Sequence, residues 1–199
     1  RVKEILEKYN ALLIADEVQT GFARTGKMFA IENFDVVPDI MSVAKALGNG
    51  QPISAFISTA EIADTYTRPG ASTLGGNPVS STAGLAVLDY IAENNLIDNA
   101  KLRGEQLKNG LKTLQKKYPI IGDVRGIGLM IGAEFVNADK SPAPEFLDKV
   151  LEKLKDMGFI IGKGGIGRNV MAFQPPLVIT EKNVDDVLNA LDFVLSKNL

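Results

Sequence analysis

The stretch "LLIADEVQTGFARTG", residues 12–26, begins as a continuous apolar run and then places an acid pair, Asp16 and Glu17, where that run ends. A continuous apolar run is typical of a strand that is buried on both faces of a parallel sheet. Open α/β sheets bind their ligands at the carboxyl ends of the strands. The pattern therefore predicts that Asp16 either faces a ligand or only caps the turn that follows.

The composition restricts the class of protein. A net charge of −2 gives no electrostatic footprint for nucleic acid or an anionic membrane, and no apolar run reaches the roughly 18 residues that span a bilayer. The chain has no cysteine and no histidine, which excludes disulfides, thiolate metal sites and a Ser-His-Asp triad built from this chain. A catalytic base must then be Lys, Asp, Glu or Tyr. A cysteine-free chain also fits a reducing compartment, so we expect a cytoplasmic protein with no metal site.

The order of predicted elements divides the chain. Strands alternate with helices up to residue 95, which predicts an α/β unit, and shorter strands between amphipathic helices over 96–199 predict a smaller α+β unit. The individual elements follow from the apolar periodicity of each segment. We expect helices at 2–9, 78–95, 96–117, 143–158 and 181–198, strands at 11–16, 39–45, 53–59, 159–162 and 170–180, and two short strands within 120–136 broken by Gly126 and Gly128.

A lysine follows the second strand. Lys45 ends the run "IMSVAK" and precedes "ALGNGQP", a loop whose glycines let the backbone approach a ligand closely. A lysine amine that loses its proton in an apolar setting attacks carbonyl groups and forms Schiff bases. Taken alone, a lysine in this position is more often an ordinary lysine that reaches solvent from a strand end.

The lysine and the acid together point to one cofactor. Pyridoxal phosphate needs a lysine to hold its aldehyde and a carboxylate to keep its pyridine nitrogen protonated. Lys45, once substrate has displaced it, would carry the Cα proton in a chain that lacks histidine. The segment "GASTLGGNP", residues 70–78, offers hydroxyls and exposed N–H groups before a helix, which suits a phosphate, although it also reads as a plain turn.

Four motifs in order, "LLIADEVQTGFARTG", "SVAKALGNGQP", "STLGGNPV" and "VRGIGLMIGAEF", resemble the C-terminal half of a class III aminotransferase, a fold-type-I pyridoxal 5′-phosphate enzyme. The resemblance covers essentially the whole chain. It implies an α/β fold in which 1–95 form the C-terminal portion of the large cofactor-binding domain, a mostly parallel sheet with helices, and 96–199 form the small C-terminal domain.

The resemblance also implies roles for individual residues. Asp16 would pair with the pyridine nitrogen, Val18 would pack on a ring face and Gln19 would lie near the phenolic oxygen. Lys45 would form the Schiff base and move the proton. Ser72 and Thr73 would reach the cofactor phosphate of the other subunit, which implies a homodimer or larger assembly with shared active sites; Val18 and Ser72 also fit ordinary packing and turn chemistry.

Two departures from the family pattern stand out. The phosphate loop and the ring-stacking aromatic of the family's preceding half have no counterpart here, so we expect a fragment, a truncated gene product or part of a longer protein. Such a chain would bind cofactor weakly and turn over nothing measurable. In addition, Ala172 stands before "PPL" where many relatives have an arginine that grips a substrate carboxylate. Arg168 either replaces that clamp or is a surface loop residue.

The function that the resemblance implies is transfer of an amino group from an amino acid or ω-amine to a 2-oxo acid. The motifs look closest to the alanine–glyoxylate and 4-aminobutyrate types, while acetylornithine, ornithine and putrescine types stay open. An aminomutase or racemase on the same scaffold is the alternative enzyme class. A truncated remnant that serves only as an interaction module is the non-enzyme alternative.

Overall fold

The computed structural model describes residues 1–197, and the chain separates into unit 1, Arg1–Ile97, and unit 2, Asp98–Leu199. Among the described residues no helix has both the length and the apolar character needed to cross a membrane. Unit 1 contains α1 (Val2–Lys8), β1 (Ile14–Asp16), β2 (Ile40–Val43), β3 (Ala55–Ser58), α2 (Ala60–Ala63) and α3 (Pro78–Glu93), with 3₁₀ turns at Ala30–Phe34 and Lys45–Leu47.

The sheet of unit 1 has the order β1-β2-β3. β1 and β2 run parallel, with Asp16 opposite Ser42, and β3 is antiparallel to β2. Because parallel strands end at the same edge, the carboxyl ends of β1 and β2 lie side by side. The helices and strands of unit 1 confirm the predicted α/β class.

The first strand differs from its prediction in length and burial. It begins at Ile14 rather than at residue 11, and Leu12 and Ile14 are 54% and 61% exposed. The described elements of unit 1 do not cover these two side chains. The apolar run is therefore a short strand with an open face in this chain, not one buried on both faces.

A half-buried carboxylate ties α1 to the start of β1. Both oxygens of Asp39 accept hydrogen bonds from Lys3 Nζ at 2.6 Å, and one of them also accepts from the Leu13 N–H at 2.7 Å. The backbone hydrogen bond from Leu13, followed by that from Lys3, holds the pKa of Asp39 below its ordinary value.

This pairing predicts a pH-dependent stability. A lowered pKa in the folded state adds stability above the unfolded pKa of about 3.9 and loses it as the pH falls through the lowered value. Asp39→Asn is therefore expected to melt at a lower temperature than wild type at neutral pH, with the difference shrinking below about pH 4. Thermal melts of both proteins across pH check this, and a difference that persists unchanged in acid would contradict it.

Unit 2 packs helices on an antiparallel sheet. Most of its first helix, α4 (Leu96–Lys117), belongs to it, and its other elements are β4 (Ile121–Ile127), β5 (Met130–Phe135), α5 (Pro144–Asp156), β6 (Gly162–Gly164), β7 (Val170–Phe173) and α6 (Glu181–Ser196). The strand order is β4-β5-β7-β6. Alternate residues of the central strands are buried and face the helices; they are Ile131, Ala133, Phe135, Met171 and Phe173.

Most predicted elements of unit 2 appear, with three corrections. The strand predicted at 159–162 is displaced, because only Gly162 of that stretch enters β6. The strand predicted at 170–180 ends at Phe173, since Pro175 and Pro176 have no N–H to give to a ladder. The helix predicted over 181–198 ends at Ser196, and residue 198 lies outside the described residues.

Close backbone contact fixes α4 on the turn between β4 and β5. A Cβ added at Gly104 would lie 2.1 Å from the carbonyl oxygen of Gly128. Gly84 in α3 has more room, because the nearest atoms, from Leu47, lie at 3.6 Å. The two helical glycines are therefore present for different reasons.

These contacts predict opposite effects of the same substitution. Gly104→Ala is expected to destabilise the chain by about 1–3 kcal/mol through overpacking, whereas Gly84→Ala is expected to stabilise it by about 0.5–1 kcal/mol. Urea unfolding of the two variants beside wild type measures both. Equal effects would mean that the Gly104–Gly128 contact does not limit the position of α4.

Candidate active site

Two chemically active side chains of unit 1 come to the same sheet edge. Asp16 is the last residue of β1, and Lys45 begins the 3₁₀ turn that starts two residues after the last residue of β2. Both are exposed. The structure thus places the two predicted residues at one edge of the sheet, where Lys45 reaches solvent.

The carboxylate of Asp16 is held in place on one side. Its Oδ1 accepts hydrogen bonds from the Val18 N–H at 3.1 Å and from Ser42 Oγ at 3.2 Å. Ser42 is its cross-strand neighbour on β2. Two donors on Oδ1 orient the carboxylate, and Oδ2 has no such partner among the bonds of the described residues. Ser42 is a site residue that sequence reasoning missed, although its place three residues before Lys45 in a predicted parallel strand was a usable signal.

The backbone of Lys45 is strained. Its φ of 45° lies in the left-handed region, which costs a side chain-bearing residue about 1–2 kcal/mol. The turn is closed behind it by Gly48, where an added Cβ would lie 2.1 Å from the carbonyl oxygen of Gln51. Strain of this kind persists where the surrounding structure imposes it, and it gathers at functional sites.

The strain predicts the order of stability of two variants. Lys45→Gly and Lys45→Ala both remove the amine, but only glycine adopts φ of 45° without the Cβ penalty. Lys45→Gly is therefore expected to be more stable than Lys45→Ala by about 1 kcal/mol. Urea unfolding of the pair measures this, and an alanine variant as stable as the glycine one would show that Lys45 is not strained.

The other predicted cofactor residues are distributed as follows. Val18 is half-buried and Gln19 is exposed in the turn after β1. Ser72 and Thr73 are exposed in the segment before α3, where Ser72 Oγ accepts a hydrogen bond from the Gly75 N–H at 3.0 Å. Ser72 therefore has the plain turn contact that its sequence also allowed.

Helix α3 begins where the predicted phosphate segment ends. The side chain of Asn77 accepts a hydrogen bond from the Ser80 N–H at 3.0 Å and caps the helix, and Pro78 occupies its first turn. The same helix passes the Lys45 turn, since Gly84 faces Leu47. One helix therefore joins the hydroxyl-bearing segment to the lysine turn within unit 1.

Arg168 and Ala172 lie in unit 2. Arg168 is exposed at the end of a tight turn, where its N–H donates to the carbonyl oxygen of Gly165 at 3.1 Å. Ala172 lies in β7 opposite Gly132 of β5 and Gly162 of β6. The position where the family pattern has an arginine therefore carries a methyl group between two residues without side chains.

Known proteins of similar sequence and structure identify the family of the chain. The family model described as Aminotransferase class-III matches residues 1–195. The chain is 45% identical over 98% of its length to alanine–glyoxylate aminotransferase 2 homolog 2, mitochondrial, of Arabidopsis thaliana, covering 41% of that protein. It is 45% identical over 96% of its length to a leucine/methionine racemase of Thermococcus litoralis, covering 44% of it.

A solved structure is similar over the whole chain. A phospholyase from Arthrobacter, in complex with phosphoethanolamine, superposes with a TM-score of 0.95 at 34% identity, and the match covers 100% of this chain and 48% of that one. The chain thus spans less than half the length of each of these proteins. With the match of the family model to 195 of 199 residues, these comparisons establish that the chain belongs to the class-III aminotransferase family.

Proposed function

We propose that this chain carries the lysine- and aspartate-bearing part of a pyridoxal 5′-phosphate-dependent aminotransferase. The observation that carries the proposal is the parallel pairing of β1 and β2, which brings Asp16 and the Lys45 turn to one edge of the sheet. Unit 1 would be the C-terminal portion of the large cofactor-binding domain, and unit 2 would be the small domain.

The residues present fit that cofactor. An exposed amine suits an aldehyde, and an oriented carboxylate suits a protonated ring nitrogen. Asp16 meets the second requirement because Val18 and Ser42 fix its Oδ1. When bound, the cofactor supplies an electron sink for the charge that develops at the substrate Cα.

The residues of this chain would then have separate roles. Asp16 would hold a proton on the ring nitrogen, and Val18 and Gln19 would lie against the ring and its phenolic oxygen. The Lys45 amine would hold the cofactor in the resting state and afterwards move the substrate Cα proton, since the chain has no histidine for that step. Thr73, with Ser72 beside it, would contact the phosphate of the cofactor bound to a second subunit. The working unit would then be a homodimer or larger.

The substrates follow from the reaction class. We propose an amino acid or ω-amine as donor and a 2-oxo acid as acceptor, a pairing supported by the 45% identity to an alanine–glyoxylate aminotransferase homolog. Arg168 is our candidate contact for a substrate carboxylate, because its guanidinium is exposed and can form a planar, two-point contact. A cytoplasmic location stays a prediction from composition.

A racemase is the second candidate function, and the 45% identity to a leucine/methionine racemase favours keeping it. Both reactions begin with removal of the Cα proton by the same lysine. They differ afterwards, because transfer releases an oxo acid whereas racemisation returns the amino acid as a mixture of its two enantiomers.

A single-turnover assay separates these possibilities. The chain would be mixed with excess pyridoxal 5′-phosphate and a panel of L-amino acids and ω-amines, without acceptor, and the released oxo acid and the chirality of the remaining amino acid would be measured. Release of oxo acid approaching one per chain supports transfer, and scrambled chirality without oxo acid supports racemisation. Neither product, with Lys45 nevertheless occupied by cofactor, would mean that this chain alone is not an enzyme.

A further inference from the structure

Glu17 follows Asp16 directly but has the opposite environment. Asp16 is exposed, whereas Glu17 is 3% exposed. Successive residues of an extended chain point to opposite sides, so the strand that presents Asp16 at the sheet edge sends Glu17 into the interior of unit 1. A buried carboxylate is costly unless hydrogen-bond donors surround it.

Donors do surround the Glu17 carboxylate. Oε2 accepts from Thr20 Oγ1 at 2.5 Å and from the Ala30 N–H at 3.0 Å, and Oε1 accepts from the Ile31 N–H at 2.7 Å. The two backbone donors belong to the first residues of the 3₁₀ turn Ala30–Phe34. One side chain thus joins the end of β1 to a turn that begins 13 residues later.

The backbone of Glu17 extends the same connections. Its N–H donates to the carbonyl oxygen of Ser42 at 2.9 Å, and its carbonyl oxygen accepts from the Gly21 N–H at 3.0 Å. Ser42 is one of the two residues that orient Asp16. The chain between these anchors contains two strained residues, Phe22 with φ of 57° and Ala23 with φ of 71°.

These contacts link Glu17 to Asp16 through Val18. The Val18 N–H donates to Asp16 Oδ1 at 3.1 Å. The position of Val18 depends on the turn that follows β1, which Glu17 holds through its backbone and through its side chain. We propose that Glu17 is a positioning residue, which fixes the 17–31 loop so that Val18 and Ser42 hold the Asp16 carboxylate toward the cofactor's ring nitrogen. The proposal rests on the proposed function, and it concerns a residue that contacts neither cofactor nor substrate.

The matched variants are Glu17→Gln and Glu32→Gln. Glutamine has one acceptor oxygen where glutamate has two, so Glu17→Gln leaves at least one half-buried backbone N–H, of Ala30 or Ile31, without its acceptor. Glu32 lies in the same loop, is exposed, and its carboxylate accepts from the Phe29 N–H at 2.7 Å. The control therefore makes the same change of charge in the same loop, while its glutamine oxygen can keep the one contact with the Phe29 N–H, and it does not touch the Asp16 connection.

The first measurement needs no cofactor. Hydrogen exchange of the amides of 18–31 is expected to speed up about tenfold or more in Glu17→Gln, including that of Val18, and to change little at Val18 in Glu32→Gln. Unchanged exchange at Val18 in Glu17→Gln would overturn the proposal, whatever the chain does with cofactor.

The second measurement follows the adduct between pyridoxal 5′-phosphate and Lys45 in the whole chain. The pH midpoint of its absorbance change is expected to rise by about one unit in Glu17→Gln. If Asp16 is held less firmly, the ring nitrogen keeps less positive charge, and protonation of the adduct nitrogen then meets less electrostatic repulsion. A role in stability alone would lower occupancy without moving this midpoint. A midpoint equal to wild type would overturn the positioning role and leave the proposed function intact.

A milder variant tests the proposal if Glu17→Gln does not fold. If circular dichroism shows that Glu17→Gln is unfolded, Thr20→Val removes only the hydroxyl donor to Oε2 and leaves both backbone donors in place. It is expected to move the exchange at Val18 and the midpoint in the same directions by smaller amounts, and no movement would overturn the proposal. Absence of any Lys45 adduct in folded wild type would count against the proposed function, and with it against the cofactor-directed part of this inference.

Discussion

Asp16→Asn is expected to weaken binding of pyridoxal 5′-phosphate to this chain by about 2 kcal/mol or more, roughly 30-fold. The carboxylate is oriented by donors from Val18 and Ser42 on one oxygen. Asparagine keeps the size of the side chain and can keep those contacts, but it carries no charge to hold a proton on the ring nitrogen. The affinity that is lost is therefore that of the charge-assisted contact between the Asp16 carboxylate and the ring nitrogen, a contact that strengthens when the ligand excludes water.

The measurement is a titration with cofactor, followed by absorbance, of wild type, Asp16→Asn and a control. Asp35→Asn is the matched control, because Asp35 is exposed and has φ of 52°, a conformation that asparagine also tolerates. The control is expected to bind as wild type does. Equal affinity of all three proteins would remove Asp16 from the site.

Phe135→Ala is expected to destabilise unit 2 by about 3–5 kcal/mol. Phe135 is fully buried in the face of β5 that meets the helices, and its ring stacks on Phe146 with centroids 6.2 Å apart. Truncation would leave a cavity at the centre of the core. Since a domain has about 5–15 kcal/mol of stability in total, the loss is a large part of it.

Phe193→Ala is the control for that substitution. Phe193 lies on α6 and is 55% exposed, so its loss is expected to cost within about 0.5 kcal/mol, as at most surface positions. Urea unfolding of the two variants beside wild type makes the comparison. Equal destabilisation would show that Phe135 does not sit at the centre of the unit 2 core.

The sequence predicts every helix of this chain except the four-residue α2, and particular residues show why. Pro78 after Asn77, and Thr180 before an amphipathic run, are local signals for helix starts that need no tertiary information. Short strands are less well predicted. The run "FIIG" reads as a strand, but Ile160 is 93% exposed and only Gly162 pairs, because pairing depends on where β7 lies and not on local composition.

In the candidate site, too, some features could be predicted from the sequence and others could not. The positions of Asp16 and Lys45 at the strand ends could be predicted because each ends an apolar run, and the resemblance then implies one cofactor for both. The contacts of Glu17 could not, since they depend on which atoms the fold brings within hydrogen-bond distance of each other, and for Ser42 only its place three residues before Lys45 was a signal. Arg168 could be noticed only because Ala172 departs from the family pattern. Its part in binding substrate stays a prediction.

Reductive trapping tests the central claim most directly. The whole chain would be incubated with pyridoxal 5′-phosphate and treated with borohydride, and the modified lysine would be mapped by peptide mass, with Lys45→Ala run beside wild type. We predict a single adduct, on Lys45, that disappears in the variant without moving to another lysine. Labelling scattered over the lysines, and equal in both proteins, would contradict the account of Lys45 as the cofactor lysine.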